Sequence, residues 1–145
     1  MKISFFIPGE PVAQGRPRAT TINGRPRMYD APKSATYKNM VSMVASQKML
    51  DKDLMNDSVS VIITVQKSIP QSWSKKKQAK AIEGTVRPTG RPDIDNYIKA
   101  VFDGLNGVVF KDDSQVTFIG ATKQYSPTPG VSVVIFDEKE LEGKQ

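Results

Sequence analysis

The sequence contains no cysteine and no histidine. Their absence excludes disulfides, zinc sites built on thiolate or imidazole, cysteine nucleophiles and acid–base catalysis by histidine. No apolar run approaches the roughly 20 residues that a membrane helix needs, and the apolar N-terminal stretch is short and interrupted by Pro8. We therefore expect a cytoplasmic protein with no membrane contact. Any catalysis must use carboxylates, lysine, arginine, tyrosine, serine or a metal ion.

Charge is distributed unevenly along the 145 residues. Residues 1–92 contain 16 Lys and Arg against 6 Asp and Glu, a net charge of +10. Residues 93–145 contain 5 Lys against 9 Asp and Glu, a net charge of −4. A basic front half favours a polyanionic partner, most simply nucleic acid. Charge alone leaves open that the chain binds nothing anionic.

Hydrophobic periodicity predicts an α+β or mixed α/β fold, with a mixed sheet packed by about three helices in one domain of residues 1–145. Strands are expected at 2–8, 58–66, 108–110, 115–126 and 130–136. The second strand is expected to be central because nearly all of its positions are apolar. The last strands are expected to be hairpin-like neighbours, and the charged tail 138–145 is expected to be flexible.

Capping residues and apolar spacing predict three helices. The first runs from a cap at Ser34 to about Leu50, with a buried stripe of Tyr37, Met40, Val41 and Val44. The second lies between Ser74 and Gly84, which are suited to its two ends. The third opens at Asp93 or Asp95 and ends near Asn106-Gly107. Residues 9–30 are rich in Gly, Pro and Arg and are predicted to form a loop.

Five aspartates lie within residues 91–116, although the chain is basic overall. Like charges repel, so this cluster costs stability unless a positive group sits among it. Asp95, Lys99 and Asp103 follow one another at four-residue spacing and share one face of the third helix. Asp93 lies beside its first turn, and the later segment "KDDS" can return Asp112 or Asp113 to the helix start.

Converging carboxylates in a chain without histidine or cysteine suit a hard cation such as Mg²⁺, which takes oxygen ligands. A bound metal ion would activate water and polarise a phosphodiester, and Lys99 would stabilise the developing charge. The spacing alone is weak support, because Asp-x-Asp also serves metal-dependent phosphoryl and glycosyl transferases. Simpler alternatives are that Asp93 only caps the helix, that Lys99 only pairs with Asp95 and Asp103, and that "KDDS" is only a turn.

The segment "RPDIDNYIKAVFDGLNGVVFKDDSQV" closely resembles the signature of the RusA family of Holliday junction resolvases. The matching residues, in chain order, are Asp93, Asp95, Asn96, Lys99, Asp112, Asp113, Gln115 and Val116. The likeness extends to Gly15-Arg16-Pro17-Arg18 and to "IPQSWSKKKQ". One departure is Pro92, which stands where the best-known member of the family carries an aromatic residue.

The resemblance implies a Mg²⁺-dependent homodimeric endonuclease, often prophage-encoded, that cuts four-way DNA junctions in recombination and repair. Mn²⁺ would substitute for Mg²⁺, and no small-molecule cofactor would be needed. Asp93, Asp95 and Asp113 would bind the metal, and Lys99 would be a catalytic lysine. Asn96, Asp103 and Asp112 are candidate supporting residues, and Asp112, beside Asp113, is also a candidate contributor to the metal site.

Basic residues outside the acidic cluster are candidates for contacts with DNA phosphates, which give affinity without sequence readout. They are Arg16, Arg18, Arg25 and Arg27 in the predicted loop, Lys75, Lys76, Lys77 and Lys80 on the second helix, and Arg91 before the third. The lysines are also compatible with a solvated helix face, and Trp73 is expected to pack against the sheet. The main alternative function is a non-catalytic basic DNA-binding protein.

Overall fold

The computed structural model describes residues 1–137, so the predicted tail 138–145 lies outside the described residues. The elements, in chain order, are β1 (Lys2–Pro8), β2 (Arg18–Ile22), β3 (Arg25–Tyr29), α1 (Pro32–Lys48), β4 (Val59–Ser68), α2 (Lys75–Glu83), α3 (Ile94–Leu105), a 3₁₀ helix (Asp113–Gln115), β5 (Val116–Ser126) and β6 (Gly130–Asp137). Three helices and a mixed sheet confirm the predicted α+β class. No helix among residues 1–137 is long and apolar enough to cross a membrane.

Four strands form the main sheet in the order β1-β6-β4-β5. β6 is antiparallel to both β1 and β4, whereas β4 and β5 are parallel. The interior position of β4 confirms the prediction from its apolar sequence. The prediction that the last strands are hairpin neighbours is wrong, because β4 separates β5 from β6. The parallel pair requires a long crossover, which α2 and α3 supply.

The core lies between one face of this sheet and the helices α1 and α3. Ile3, Phe5 and Ile7 alternate into it from β1, as their spacing predicted. α1 and α3 meet at Gly104, where a Cβ atom would lie only 2.6 Å from Cβ of Val41. Glycine is therefore required at this crossing, and the position of α3 depends on it.

The start of α1 differs from the prediction. The helix begins at Pro32, which fits a first helical position because its missing N–H has no acceptor there. Ser34 is buried inside the helix instead of capping it, and its hydroxyl accepts from the N–H of Gly15 at 3.0 Å. Tyr37 and Val41 are buried as predicted, whereas Met40 is 38% exposed.

Of two further predictions of secondary structure, the one for the ends of α2 is confirmed and the one for a strand at 108–110 is wrong. Ser74 and Gly84 do end α2, since the Ser74 hydroxyl accepts from the N–H of Lys77 and Gly84 is left-handed with φ 90°. The strand predicted at 108–110 is wrong, because within it only Phe110 pairs, through isolated bridges to Met55 and Asn106.

The predicted loop 9–30 contains a second small sheet. β2 and β3 form an antiparallel hairpin whose ten strand residues are all exposed. Its two turn residues, Asn23 and Gly24, have φ of 53° and 75°. Positive φ at both positions is the type I′ turn that Asn-Gly favours. The hairpin therefore projects from the domain without an apolar face of its own in the core.

Candidate functional site

The N-terminal end of α3 carries two aspartates whose side chains have no partner within residues 1–137. Asp93 occupies the N-cap position, but its carboxylate accepts no hydrogen bond from the first turn. Asp95 lies in the first turn, where the helix dipole favours negative charge. Both residues are exposed. The alternative that Asp93 serves only as a capping side chain therefore does not hold.

Contacts from two other segments fix the backbone around these aspartates. The ammonium group of Lys123 in β5 donates to the carbonyl oxygens of Gly90 and Pro92 at 2.8 and 3.0 Å. The N–H of Gln14 donates to the carbonyl oxygen of Asn96 at 2.9 Å. Asn96 thus helps to fix the helix start through its backbone. The carboxylates of Asp93 and Asp95 are exposed, but the chain that carries them is held in place.

The two adjacent aspartates of the "KDDS" turn have different roles. Asp112 caps the 3₁₀ helix, and its carboxylate accepts from the N–H of Ser114 at 3.1 Å. Hydrogen bonds from the hydroxyl and the N–H of Ser114 lower the pKa of Asp112. Asp113 is half-buried, and its carboxylate has no partner in the described part of the chain. The turn therefore uses one carboxylate and leaves the other available.

Gln115 holds this turn against the rest of the molecule. Its side-chain oxygen accepts from the N–H groups of Lys111 and Asp112 at 2.9 and 3.2 Å. Its side-chain nitrogen donates to the carbonyl oxygens of Met55 and Asp57 at 2.8 and 3.1 Å. A bidentate amide of this kind fixes the backbone on which Asp113 stands.

Asp103, at the other end of α3, is paired. Lys38 of α1 lies 2.9 Å from its carboxylate and 2.6 Å from that of Asp30, which follows β3. Gln14 also donates to Asp30, at 3.2 Å. Hydrogen bonds from Lys38 and Gln14 lower the pKa of Asp30. Lys99 forms no ion pair within residues 1–137, so the alternative that it only pairs with Asp95 and Asp103 does not hold there.

Among residues 1–137, no three acidic side chains lie close enough together to form a metal site by themselves. The structure therefore holds Asp93 and Asp95 at the start of α3 and Asp113 in the 3₁₀ helix. These three carboxylates do not form a metal site by themselves. Their free oxygens are of the kind that Mg²⁺ prefers.

Cationic side chains border the start of α3. A cleft of about 400 Å³ is lined by Arg16, Arg91, Pro92, Asp93 and Asn96. Two guanidinium groups and a free carboxylate therefore share one concave surface. Guanidinium groups bind phosphate oxygens in a bidentate manner, so this cleft suits a phosphodiester group beside a free carboxylate.

The hairpin presents three more arginines on one of its faces. In its register Arg18 pairs with Tyr29, Thr20 with Arg27, and Ile22 with Arg25. Directly paired residues point to the same side of a two-stranded sheet. Arg18, Arg25 and Arg27 therefore share one face, whereas Ala19, Thr21, Pro26 and Met28 occupy the other.

The lysines of α2 form a separate basic surface. Lys76, Lys77 and Lys80 line a cleft of about 390 Å³ together with Ser74 and Val86. The ammonium group of Lys77 lies 4.0 Å from the centre of the Trp73 ring, a cation–π contact. Trp73 also packs edge-on against Tyr125 of β5, with 5.1 Å between ring centres. Trp73 is thus packed against the sheet, as expected.

Comparison with known proteins agrees with this geometry. The profile of the family described as Endodeoxyribonuclease RusA matches residues 8–136, nearly the whole chain. The chain belongs to the RusA endodeoxyribonuclease family. A relative from Bacillus subtilis (strain 168), named uncharacterized protein YqaN, is 46% identical over 135 residues, which cover 92% of this chain and 94% of the relative. Membership of the RusA family makes this protein a nuclease and DNA its partner.

In this RusA-family chain, three residues that the sequence did not indicate as part of the site are connected to α3 in the structure. Gln14, Asp30 and Lys38 connect the hairpin base, α1 and α3 through hydrogen bonds and ion pairs. No periodic pattern joins residues so far apart in the chain. A partial signal was available for the hairpin itself, because Asn23-Gly24 between two short runs is typical of a two-residue turn.

Proposed function

We propose that the protein is a Mg²⁺-dependent, structure-selective endonuclease that resolves four-way (Holliday) DNA junctions by paired phosphodiester hydrolysis, in recombination and repair. We propose further that it acts in the cytoplasm as a homodimer. The observation that carries the proposal is that, in a chain of an endodeoxyribonuclease family, the carboxylates of Asp93, Asp95 and Asp113 have no partner within residues 1–137, and Asp93 shares a cleft with two arginines.

In this proposal Asp93, Asp95 and Asp113 hold the metal ion together with DNA. Mg²⁺ commonly binds one or two carboxylates, several waters and substrate phosphates, so an incomplete protein site agrees with this assignment. When bound, the ion supplies Lewis acidity toward the phosphodiester and the attacking water. Mn²⁺ accepts the same oxygen ligands and would substitute. No small-molecule cofactor is required.

Lys99 is proposed to stabilise the negative charge that develops on the phosphate during cleavage. Two observations support this role. Its side chain is exposed on the same helix as Asp95, one turn further along. It also forms no ion pair within residues 1–137, so no ion pair has to be broken before it contacts a phosphate.

The basic residues are proposed to hold the DNA arms. Arg16 and Arg91 would contact the phosphates nearest the carboxylates, because they line the same cleft as Asp93. The hairpin face with Arg18, Arg25 and Arg27, and Lys75, Lys76 and Lys77 of α2, would contact phosphates further away. Such contacts release counterions, so junction affinity should fall steeply with salt.

A two-fold symmetric junction requires two matched incisions, and a dimer with two-fold symmetry supplies two sites in matching orientation. The symmetry of the junction therefore supports the homodimer.

The test is cleavage of a synthetic four-way junction, with linear duplexes of the same arm sequences as the matched substrate. Each reaction is run with Mg²⁺, with Mn²⁺ and with EDTA. The proposal predicts symmetric nicks in the junction alone, which EDTA abolishes. Tight junction binding without cleavage under either metal would instead support a non-catalytic DNA-binding protein. If the protein neither binds nor cleaves the junction, the proposal is contradicted altogether.

A further inference from the structure

Two acidic side chains lie within the electrostatic range of Lys99 and form no ion pair with it. Asp103 lies four residues further along α3 and shares a helix face with Lys99, a spacing at which ion pairs commonly form. Asp30 lies near enough for the charge of Lys99 to act on it. That charge contributes to lowering the pKa of Asp30, after hydrogen bonds from Lys38 and Gln14 and the charge of Lys38.

Both of these carboxylates are bound by Lys38 instead. Its ammonium group lies 2.6 Å from Oδ2 of Asp30 and 2.9 Å from Oδ2 of Asp103. Only 14% of the Lys38 side chain is exposed, against 33% for Asp30 and 30% for Asp103. Partial burial strengthens these pairs relative to exposed ones, because water screens them less.

The arrangement around Lys38 is also held at its edges. Gln14 donates to Oδ1 of Asp30 at 3.2 Å, so both oxygens of that carboxylate are engaged. The N–H of the same residue binds the carbonyl oxygen of Asn96, within one turn of Lys99. At the other end, the close crossing of Val41 and Gly104 sets the separation of Lys38 and Asp103. The position of Lys38 is thus determined by packing.

We propose that Lys38 is a positioning residue for Lys99. By binding Asp30 and Asp103 together, it prevents either carboxylate from pairing with Lys99, whose ammonium group stays available for a DNA phosphate. The consequence for cleavage rests on the proposed function. The competition between the two lysines rests on the ion pairs of Lys38 and on the four-residue spacing of Lys99 and Asp103 along α3.

The first test measures Lys99 directly, without DNA. Reductive methylation with formaldehyde, followed by peptide mass spectrometry, reports how readily each lysine reacts, and a lysine held in an ion pair reacts more slowly. We expect Lys99 of the unmodified protein to react as fast as the exposed Lys52. In Lys38→Met, which keeps the length of the side chain without its charge, Lys99 should react several-fold more slowly. Lys52→Met is the matched control and should leave the rate at Lys99 unchanged.

The second test uses junction cleavage. Lys38→Met should lower kcat by about 10- to 100-fold, as loss of an outer partner does in metal sites, with a smaller change in KM. Lys38→Arg should retain most activity, because a guanidinium group can bind two carboxylates. Combining Lys38→Met with Asp30→Asn and Asp103→Asn should restore much of the lost rate, because no competing carboxylate remains. A purely structural role for Lys38 would not give that recovery.

Two results would overturn the inference. One is an unchanged methylation rate of Lys99 in Lys38→Met protein whose circular dichroism shows it to be folded. The other is a triple variant that cleaves no faster than Lys38→Met alone. If the unmodified protein does not cut junctions at all, the proposed function fails, and the methylation comparison still decides whether Lys38 keeps Lys99 free.

Discussion

The two ends of α3 carry aspartates in opposite situations. At the C-terminal end Asp103 is bound to Lys38, in a contact that also holds Asp30. At the N-terminal end Asp93 and Asp95 have no partner among residues 1–137. Asp112 and Asp113 repeat the contrast within one turn, since the first caps a helix and the second binds nothing there.

The difference separates structural carboxylates from candidate functional ones. Like charges held close together cost stability unless a positive group compensates them. The fold supplies a direct ion pair for Asp103 and none for Asp93 and Asp95 within residues 1–137. Carboxylates kept without partners on a well-fixed backbone are what a cation-binding site requires before its cation arrives.

The largest expected effect comes from removing one of the carboxylates without a partner. Asp95→Asn or Asp113→Asn should lower the junction cleavage rate about 10³-fold or more, since a metal ion supplies several kcal/mol of transition-state stabilisation. Junction affinity should be equal or higher, because a negative charge near the phosphates is lost. Single-turnover cleavage and gel-shift titration measure the two quantities.

Asp103→Asn is the matched variant for Asp95→Asn, on the same helix and with the same chemical change. It should cost less than tenfold in rate. Equal losses for the two variants would mean that the contrast between the two ends of α3 has no functional meaning.

A smaller effect is expected at the turn. Asp112→Ala removes the cap of the 3₁₀ helix and disturbs the position of Asp113, so the cleavage rate should fall by about tenfold, as for an outer partner of a metal ligand. Higher Mg²⁺ concentration should recover part of this loss but none of the loss in Asp113→Asn. A rate for Asp112→Ala as low as that of Asp113→Asn would assign Asp112 to the metal ligands.

Gly104→Ala tests the packing that brings Lys38 to Asp103. The added Cβ would lie 2.6 Å from Cβ of Val41 and 2.9 Å from the carbonyl oxygen of Lys38. Overpacking of this kind costs about 1–3 kcal/mol in the free energy of unfolding, measurable by urea titration. Gly90→Ala is the control, because a Cβ there has open space. Equal stability of the two variants would contradict the close helix crossing.

The smallest effect is in the pH dependence of stability. Asp30 has its pKa lowered from 3.8 by hydrogen bonds from Lys38 and Gln14. The contribution of Asp30 to the free energy of unfolding is therefore complete above pH 3.8 and is lost as the pH falls through the lowered value.

Lys38 shifts in the other direction. Burial disfavours the charged form of Lys38, but the contacts with Asp30 and Asp103 outweigh burial and raise the pKa of Lys38 above 10.5. The contribution of Lys38 to the free energy of unfolding is complete below pH 10.5 and is lost as the pH rises through the raised pKa.

Lys38→Met should therefore flatten the stability profile at both extremes, relative to Lys52→Met. Urea unfolding at pH 3, 7 and 11 would measure it. Parallel profiles for the two variants would contradict the ion pairs at Lys38.

Local signals in the sequence predicted local structure well. Ser74 and Gly84 ended a helix as expected, because cap preferences depend on only a few neighbouring residues. The prediction that Ser34 caps α1 was wrong because it, too, considered only neighbouring residues. Its type suits a cap, but contacts with Ala13 and Gly15, about 20 residues earlier, placed it inside α1.

The sequence did not predict the contacts between segments that are distant along the chain. The insertion of β6 between β1 and β4 depends on pairing with β1, almost the whole chain away, and with β4, about half the chain away. Spacing along α3 offered Lys99 as one alternative partner of Asp103, and the partner is Lys38 on another helix. The family signature led to the carboxylates and Lys99, whereas the residues behind them became visible only in the folded chain.

The most direct test of the central claim is Mn²⁺ binding to the junction complex, followed by electron paramagnetic resonance. A Lys99→Met background slows cleavage and keeps Asp93, Asp95 and Asp113. We predict that this complex binds Mn²⁺ and that adding Asp95→Asn or Asp113→Asn weakens binding by at least about tenfold, whereas adding Asp103→Asn does not. Equal Mn²⁺ affinity in all of these proteins would contradict the assignment of the carboxylates without partners to the metal.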